Sequence, residues 1–454
     1  MSIATLCRYS SKNTPVEVID ETCPHRRTGA GTAPAEAILP RDECNDTNMN
    51  TSAAPSSALA QGFSQVGHTC SHLFMLLYPT VVLSLEKEFG MSYGDLLVLM
   101  TTGNVLFGLA ALPAGWLGDR WSTVGMMVIY FVGLGCSAIL TGLMSSTFGL
   151  AVGLALIGLF ASIYHPVGMA WLVRNAKNRG RTLGLNGVFG SLGVASAAVF
   201  AGVLTQWISW RAAFIVPGIA AVLIGLALVF LLSTGRVAET QLDVQPHAPL
   251  HRDSIVRAFV VLSITMLCNG LIFQSMSSAL PKIFAERISG LTGGTVAGTG
   301  VLVSLVYFAA MGAQLVGGYL SDRHSTRTVY IATSFAQMPL YALAASLFGT
   351  PLFFAVLGTV VLQTIAGPAE NVLLSRYTPD KWRGTAFGAK FVLALGVGAL
   401  GVPIVAYIHE RTMGFAWYFV FLALMSLVVV LAALSLPGKR PAQSIAPIGP
   451  EVSP

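Results

Sequence analysis

The sequence predicts an all-α integral membrane protein with twelve transmembrane helices in two pseudo-symmetric six-helix bundles. Of its 454 residues, 54% are hydrophobic and only 10% are charged, whereas soluble domains carry about 25% charged residues. The apolar residues form continuous runs of about 20 residues, the length that a helix needs to cross a bilayer. Because these runs do not alternate apolar and polar positions, we expect helices rather than a β-barrel. A lipid bilayer is therefore the first expected partner.

The first half of the chain is expected to hold six spans behind a polar tail. Residues 1–60 are rich in Ser, Thr, Pro and charge, so we expect them to be disordered and cytoplasmic. No apolar stretch there could serve as a signal peptide, and Met49 is a second candidate for the translation start. The domain 61–233 then carries predicted spans at 63–85, 95–117, 123–144, 147–173, 182–206 and 211–233.

The second half repeats this organisation after the longest polar interruption. Residues 234–254 are the expected cytoplasmic linker, and 438–454 the expected cytoplasmic tail. The domain 255–437 carries predicted spans at 255–281, 296–320, 328–348, 351–375, 384–407 and 413–436.

The positive charges indicate orientation. The net charge of +6 could suggest nucleic acid, but the Lys and Arg residues lie in short connections between apolar runs, so no nucleic-acid partner is expected. Most of them follow the even-numbered spans, which predicts that both termini lie in the cytoplasm. The expected location is a bacterial-type inner (plasma) membrane. The six cysteines have no metal-ligand spacing, and neither a metal nor another cofactor is expected.

Two unrelated patterns recur at nearly the same offset and indicate a duplication. Segment 115–120, Gly-Trp-Leu-Gly-Asp-Arg, returns as 318–323, Gly-Tyr-Leu-Ser-Asp-Arg. Segment 179–184, Arg-Gly-Arg-Thr-Leu-Gly, returns as 383–388, Arg-Gly-Thr-Ala-Phe-Gly. The chain is thus predicted to be a duplicated six-helix unit.

The Gly-x-x-x-Asp-Arg pattern in the loop after the second span of each half resembles the signature of the major facilitator superfamily. The second copy is fuller, because Arg327 follows at the place of the family's distal basic residue, while the first copy continues through 121–127 without the family's basic pair. The resemblance implies the major facilitator fold, with two halves around a central cavity, and transport of a small-molecule solute. We expect a monomer.

A finer resemblance comes from Ile-Tyr-His-Pro at 163–166 and the glycine-rich segment 186–193, which are similar to the fosmidomycin-resistance group of efflux proteins. It implies proton-driven export of small organic or drug-like molecules. An importer or facilitator of a metabolite in the same fold, and a membrane sensor that does not transport, remain alternatives. No nucleotide-binding loop, metal set or activated nucleophile points to an enzyme, so no catalytic residue is expected.

Charged residues at the ends of spans are candidates for gating. We expect each loop aspartate to pair with an arginine at the end of the fourth span of its half, as a contact that breaks in another state. The alternative is a charge cluster that only sets topology. The predicted gating residues are Asp119, Arg120, Arg174, Asp322, Arg323, Arg327 and Arg376.

Three titratable residues inside spans are candidates for proton coupling. Glu370 lies well inside span 10, and Lys390 lies at comparable depth in span 11. A carboxylate at that depth is costly unless it is paired or protonated, so an ion pair with Lys390 and proton carriage are both open. His165 occupies nearly the equivalent place in the first half. Its alternative is a histidine held by a helix carbonyl beside Pro166.

Polar residues inside spans are candidates for the solute cavity. His68 and His72 lie four residues apart on one face of span 1; a metal is not expected there, because no acidic or cysteine cluster completes a ligand set. The other candidates are Asn186, Asn269, Gln274 and Asn371, and Gln314 and Gln363 are further polar groups inside apolar runs. The glycines at 184, 187, 190 and 193 are expected to serve helix packing.

Overall fold

The computed structural model of the chain describes residues 56–177, 179–239, 252–378 and 383–436. For 179–180, 252–256 and 383–385 it describes only the backbone. The predicted N-terminal tail up to residue 55, the linker 240–251 and the C-terminal tail lie outside the described residues, as does the question of the translation start.

Eleven helices of the described chain are long and apolar enough to span a membrane. In chain order they are α1 Ser57–Phe89, α2 Tyr93–Arg120, α3 Thr123–Leu143, α4 Thr147–Arg174, α5 Arg181–Trp207, α6 Ala212–Ser233, α7 Arg257–Arg287, α8 Val296–Arg323, α10 Gly349–Tyr377, α11 Ala386–Thr412 and α12 Ala416–Leu434. The remaining predicted span, the ninth in chain order, is α9, Thr326–Ala344. It has 19 residues and buries the polar Thr333, Ser334 and Gln337. It packs against α10 and α12. The predicted all-α membrane fold is confirmed in this part of the chain.

Side-chain caps at their N-termini fix where several helices begin. The hydroxyl of Ser122 accepts from the Gly125 N–H before α3 at 2.8 Å. Ser146 does the same before α4 at 3.1 Å, and Thr295 before α8 at 3.0 Å. Each cap satisfies an N–H that the helix leaves without a partner, and its loss costs about 1 kcal/mol.

Four of the long helices are irregular. α1 is interrupted at Leu77, just before Pro79, and α2 contains a 3₁₀ turn at Val98–Met100. α4 has a π-helical turn at Tyr164–Gly168, where Pro166 offers no N–H. α11 has a π-helical turn at Val392–Val397, followed by a 3₁₀ turn. Such turns leave backbone groups less firmly bonded and often mark functional sites.

The halves α1–α6 and α7–α12 meet through close helix crossings. At the α2–α11 crossing, a Cβ on Gly108 would lie 2.1 Å from the Gly396 nitrogen. At the α5–α8 crossing, a Cβ on Gly300 would lie 2.3 Å from the Ala198 oxygen. Glycine is therefore required at both places, and it lets the backbones of the two halves touch.

Charged groups tie the halves together at one end. We call the end that carries Asp119 and Asp322 the motif end, and the other the far end. At the far end the Lys282 ammonium of α7 lies 2.6 Å from the Glu86 carboxylate of α1. The hydroxyl of Ser92, just before α2, donates to the Glu410 carboxylate of α11 at 2.5 Å. These contacts close the interface between the halves at the far end.

Candidate functional site

A cavity of about 260 Å³ lies between the two halves. Its wall comes from α1, α5, α7, α8 and α10, and its polar members include His68, His72, Gln314, Gln363 and Thr364. The remaining wall is mainly glycine, aliphatic and aromatic. None of the described residues that line it is Asp, Glu, Lys or Arg. A site of this kind suits a small organic molecule with few polar groups and no requirement for a charged partner.

Of the six predicted cavity residues, only the two histidines of α1 line this cavity. The other four, Asn186, Asn269, Gln274 and Asn371, are not among its lining residues, and in this state their side chains form hydrogen bonds elsewhere. The Gln274 amide donates to the Leu395 carbonyl at 3.3 Å, so it joins α7 to α11 instead of facing solute. A polar residue inside a span satisfies a neighbouring helix as readily as a ligand, and sequence does not distinguish these uses.

The cavity wall also contains residues that the sequence analysis did not single out for this role. Tyr307 and Thr364 are such residues, whereas Gln314 and Gln363 were polar groups for which a role in helix packing and a role in the cavity were both open. Ala310 and Gln314 are four residues apart, as are Gln363 and Gly367. This helical spacing of small and polar residues within apolar runs is the signal that could have identified the face.

Glu370 is buried in the second half with both carboxylate oxygens bonded. Its Oε1 lies 2.7 Å from the Lys390 ammonium. Its Oε2 accepts from the Asn269 amide at 2.8 Å and from the Tyr330 hydroxyl at 2.9 Å. The carboxylate thus joins α7, α9, α10 and α11. The ion pair that we had left open is present, and Asn269 belongs to it rather than to the cavity.

Lys390 connects this buried carboxylate to an exposed position. Its ammonium also donates to the Asn371 side-chain oxygen at 2.6 Å, and Asn371 is exposed whereas Glu370 is only 6% exposed. On α10, Glu370 follows the cavity residue Gly367 by one turn. The pair therefore lies next to the cavity, on its motif-end side.

Three imidazoles come together in the first half. His68 and His72 of α1 meet His165 in the π-helical turn of α4, and their ring centroids lie 5.1 to 5.5 Å apart. The Nδ1 of His68 lies 2.7 Å from the Asn186 carbonyl oxygen, and the Asn186 side chain accepts from the Tyr164 hydroxyl. Asn186 thus orients this cluster instead of lining the cavity.

His165 is buried without a hydrogen bond to any described residue from either ring nitrogen. The carbonyl partner considered for it in the sequence analysis is not found in this part of the chain. One face of its ring stacks on Phe391 of α11, with centroids 4.6 Å apart and planes at 22°. Because Phe391 belongs to the second half, this contact crosses between the halves.

The loop aspartates behave differently in the two halves. Arg174 lies 3.1 Å from Asp119 and also donates to the Thr123 hydroxyl at 2.6 Å. Asp119 is 72% exposed, so the pair contributes at most about 1 kcal/mol. Within the described chain, Asp322 makes no such pair with Arg376, and both are exposed. Among the described residues the first-half contact is therefore formed in this state, and a contact between Asp322 and Arg376 stays a prediction for another state.

The other predicted gating residues are held by aromatic rings or helix ends. Arg120 lies over the Trp116 ring at 5.0 Å, and Arg323 lies over the Tyr319 ring at 4.9 Å. These are equivalent contacts in the two halves. Arg327 donates to carbonyls at the end of α12, including that of Leu434 at 2.5 Å, where a positive charge is favourable.

Similarity to solved structures supports the architecture. The crystal structure of a bacterial homologue of the human lysosomal transporter Spinster, inward-facing and occupied, matches with a TM-score of 0.69 and 14% identity. The match covers 85% of this chain and 97% of that one. The crystal structure of the transporter FucP in the outward conformation matches with a TM-score of 0.58 and 16% identity, over 84% and 99% of the two chains. At this identity the likeness establishes the fold alone.

Sequence comparison establishes the family. The puromycin resistance protein pur8 of Streptomyces alboniger is 24% identical over 73% of this chain and 72% of its own length. A probable 4-methylmuconolactone transporter of Cupriavidus pinatubonensis is 22% identical over 72% and 77%. The Major Facilitator Superfamily model matches residues 66–298 and 262–451. The finer resemblance to the fosmidomycin-resistance group stays a prediction. The chain therefore belongs to the Major Facilitator Superfamily, and it is a multi-pass membrane transporter rather than an enzyme.

Proposed function

We propose that this protein exports a small, largely uncharged organic solute in exchange for protons, by alternating access of its two halves. The observation that carries the proposal is the buried pair of Glu370 and Lys390 beside a cavity whose described wall has no fixed charge. A carboxylate inside a membrane span must be paired or protonated. Because an uncharged solute offers the carboxylate no alternative partner, we propose that the ion exchanged at Glu370 is a proton.

The geometry suggests how protonation would be coupled to movement. When Glu370 is ionised, it holds Lys390 at 2.7 Å and fastens α11 to α10. When it takes up a proton, the attraction falls and the ammonium retains Asn371, which is exposed. α11 contains a π-helical turn just beyond Lys390, so its backbone is suited to follow the change. Protonation would thus loosen one helix of the second half.

We propose export as the direction on the basis of a relative, and orientation only defines which side is which. The motif end carries most of the Lys and Arg residues, so we place it, and both chain termini, on the cytoplasmic side of the inner (plasma) membrane. The far end, closed by Lys282 and Glu86, then faces outward. With the far end closed, a solute would enter the cavity from the cytoplasmic side, which would be the loading step of an exporter and the release step of an importer. The name of the puromycin resistance protein agrees with efflux.

The loop contacts are proposed as the switch at the cytoplasmic side. Arg174 pairs with an Asp119 that is largely exposed, so the contact breaks at small cost. Asp322 and Arg376 are proposed to pair in another state of the cycle. Transport by a protein with Asp322→Asn should fall although the protein is still inserted, and unchanged turnover would remove this role. We propose that the monomer is the working unit.

The first experiment identifies a solute. The protein purified in detergent is heated with puromycin acetylated at its amino group, with 4-methylmuconolactone esterified at its carboxyl group, and with other small neutral compounds. These derivatives remove the charge that each parent compound carries near neutral pH. A ligand that binds the folded state at 100 times its Kd stabilises it by about 2.7 kcal/mol, which raises the melting temperature. Charged analogues of each compound serve as controls, and preferential stabilisation by them would contradict the proposed solute class.

The second experiment tests coupling. Flux of the solute found above is measured in proteoliposomes under an imposed pH gradient, for wild type and Glu370→Gln. The variant should lose gradient-driven accumulation but keep solute-for-solute exchange, because exchange needs no net proton movement. If Glu370→Gln accumulates solute as wild type does, proton coupling at this residue is wrong. Accumulation towards the cytoplasmic face would support the alternative function of an importer.

A further inference from the structure

We propose that His68, His72 and His165 form a binding site for one transition-metal ion of the Zn²⁺, Ni²⁺ or Cu²⁺ type. One ring nitrogen from each residue lies within 4.8 Å of the corresponding atoms of the other two. Two ligands come from one face of α1 and the third from the π-helical turn of α4. Three imidazoles around one point are a ligand set found in zinc proteins.

The hydrogen bonds leave the metal-binding nitrogens free. A carbonyl oxygen can only accept, so the contact with Asn186 requires that the Nδ1 of His68 carries the proton. The Nε2 then presents its lone pair, as a ligand whose other nitrogen is fixed by an outer hydrogen bond. Neither ring nitrogen of His165 forms a hydrogen bond with a described residue. The same holds for the two ring nitrogens of His72 within the described chain.

Nearby residues hold the rings in this arrangement. The His68 ring stacks on Tyr164, with centroids 4.9 Å apart and planes at 22°. On its other side, a Cβ on Gly190 would lie 2.5 Å from the His68 ring, so only glycine leaves room for the imidazole there. His165 stacks on Phe391. A buried nitrogen without a partner destabilises the fold, and a metal ion would supply the partner that these rings have in common.

The distances permit coordination after small rotations. Metal–nitrogen bonds of about 2.0–2.1 Å place the nitrogens of a tetrahedral site about 3.3 Å apart. The side chain of His72 lines the cavity, and within the described chain no hydrogen bond holds it away from the other two. Since His68 also lines the cavity, the fourth position would be open to an oxygen atom from water or solute. Nitrogen donors of this kind exclude Mg²⁺ and Ca²⁺ as the preferred ions.

Metal binding is tested without any transport measurement, so its failure would leave the proposed function unaffected. The protein is purified through a tag without histidine and titrated with Co²⁺, whose visible bands report four-coordinate nitrogen ligation, and with Zn²⁺ by calorimetry. We expect one ion per chain. His72→Ala should weaken binding by at least about 100-fold, the upper end of what loss of an outer hydrogen bond costs. The matched control His409→Ala should bind as wild type does.

A measurement on the wild-type protein covers the case in which the variant misfolds. Histidines are modified with diethyl pyrocarbonate with and without Zn²⁺ and located by mass spectrometry. Zn²⁺ should protect the three clustered residues and leave His324 and His409 unprotected. The proposal is overturned if wild type binds neither ion, if His72→Ala binds as tightly as wild type, or if protection is equal at all five positions. Equal protection would mean that the cluster carries protons or only packs.

Discussion

The ion pair between Glu370 and Lys390 can be tested as a structural unit before any solute is known. We consider Lys390→Met, Glu370→Gln and the double variant that combines them. Both side chains are mostly buried: counted without the backbone, 8% of the Glu370 side chain and 15% of the Lys390 side chain are exposed. Met and Gln are close in size to the residues they replace, so the variants change charge more than packing.

The magnitude follows from what remains around each group. Lys390→Met removes the partner at 2.7 Å but leaves the carboxylate the Asn269 amide and the Tyr330 hydroxyl. Removal of one partner of a buried ion pair lowers the free energy of unfolding by about 3–5 kcal/mol. Because two donors to the carboxylate remain, we expect a loss near the lower limit, about 3 kcal/mol. In the double variant no unpaired charge is left, and its free energy of unfolding should fall by only about 1 kcal/mol.

The assay is reversible unfolding in mixed micelles of a mild detergent and SDS, followed by circular dichroism. We expect a coupling energy of at least about 2 kcal/mol from the double-mutant cycle. Asp119→Asn combined with Arg174→Gln provides the control, because that pair is largely exposed and should couple by less than about 1 kcal/mol. If the effects of the Glu370 and Lys390 variants add within about 0.5 kcal/mol, the reasoning from burial is refuted.

Three further predictions concern packing and the two ends. Gly190→Ala should destabilise the protein by about 1–3 kcal/mol, because the new methyl group meets the His68 imidazole, which Tyr164 and the Asn186 carbonyl hold in place; unaltered unfolding would show that the ring shifts at no cost. Lys282→Met removes the contact with Glu86 and should open the far end, measured as faster labelling of a cysteine introduced beneath the pair; an unchanged rate would contradict closure by this contact. Asp119→Asn should slow solute flux while the melting temperature stays within about 2 °C, since its partner Arg174 contributes little to stability; wild-type flux would refute a role in the cycle.

The fold was predictable because a membrane-spanning helix requires a continuous apolar run of about 20 residues, which is visible in the sequence. Even α9, which falls below the apolar standard of the other eleven spans, was placed at 328–348 against the observed Thr326–Ala344. Its buried hydroxyls and Gln337 lower its hydropathy, but they bond within the protein rather than to lipid. Helix irregularities were less accessible: Pro166 predicts a disturbed helix, but not the π-helical turn around it.

The contacts of the candidate site residues were predictable only where two residues lie at the same depth in the membrane on neighbouring helices. Glu370 and Lys390 lie at similar depth on neighbouring helices, and the structure joins them. His165 was compared with its counterpart in the other half, whereas its contacts are with His68 and His72 of its own half. Internal symmetry relates positions that are far apart in space, so it cannot reveal a cluster within one half.

One dipeptide gives α11 a part in both buried sites. Lys390 holds the carboxylate of its own half, and its neighbour Phe391 covers His165 of the other half. When two halves rock as rigid bodies, distances inside each half are conserved, so neither titratable group senses the motion by itself. Residues 390–391 differ, because Lys390 contacts the second half and Phe391 contacts the first. A shift of α11 that releases the Lys390 ammonium must also move the Phe391 ring across the His165 imidazole. This helix therefore couples the ion pair of one half to the histidine cluster of the other.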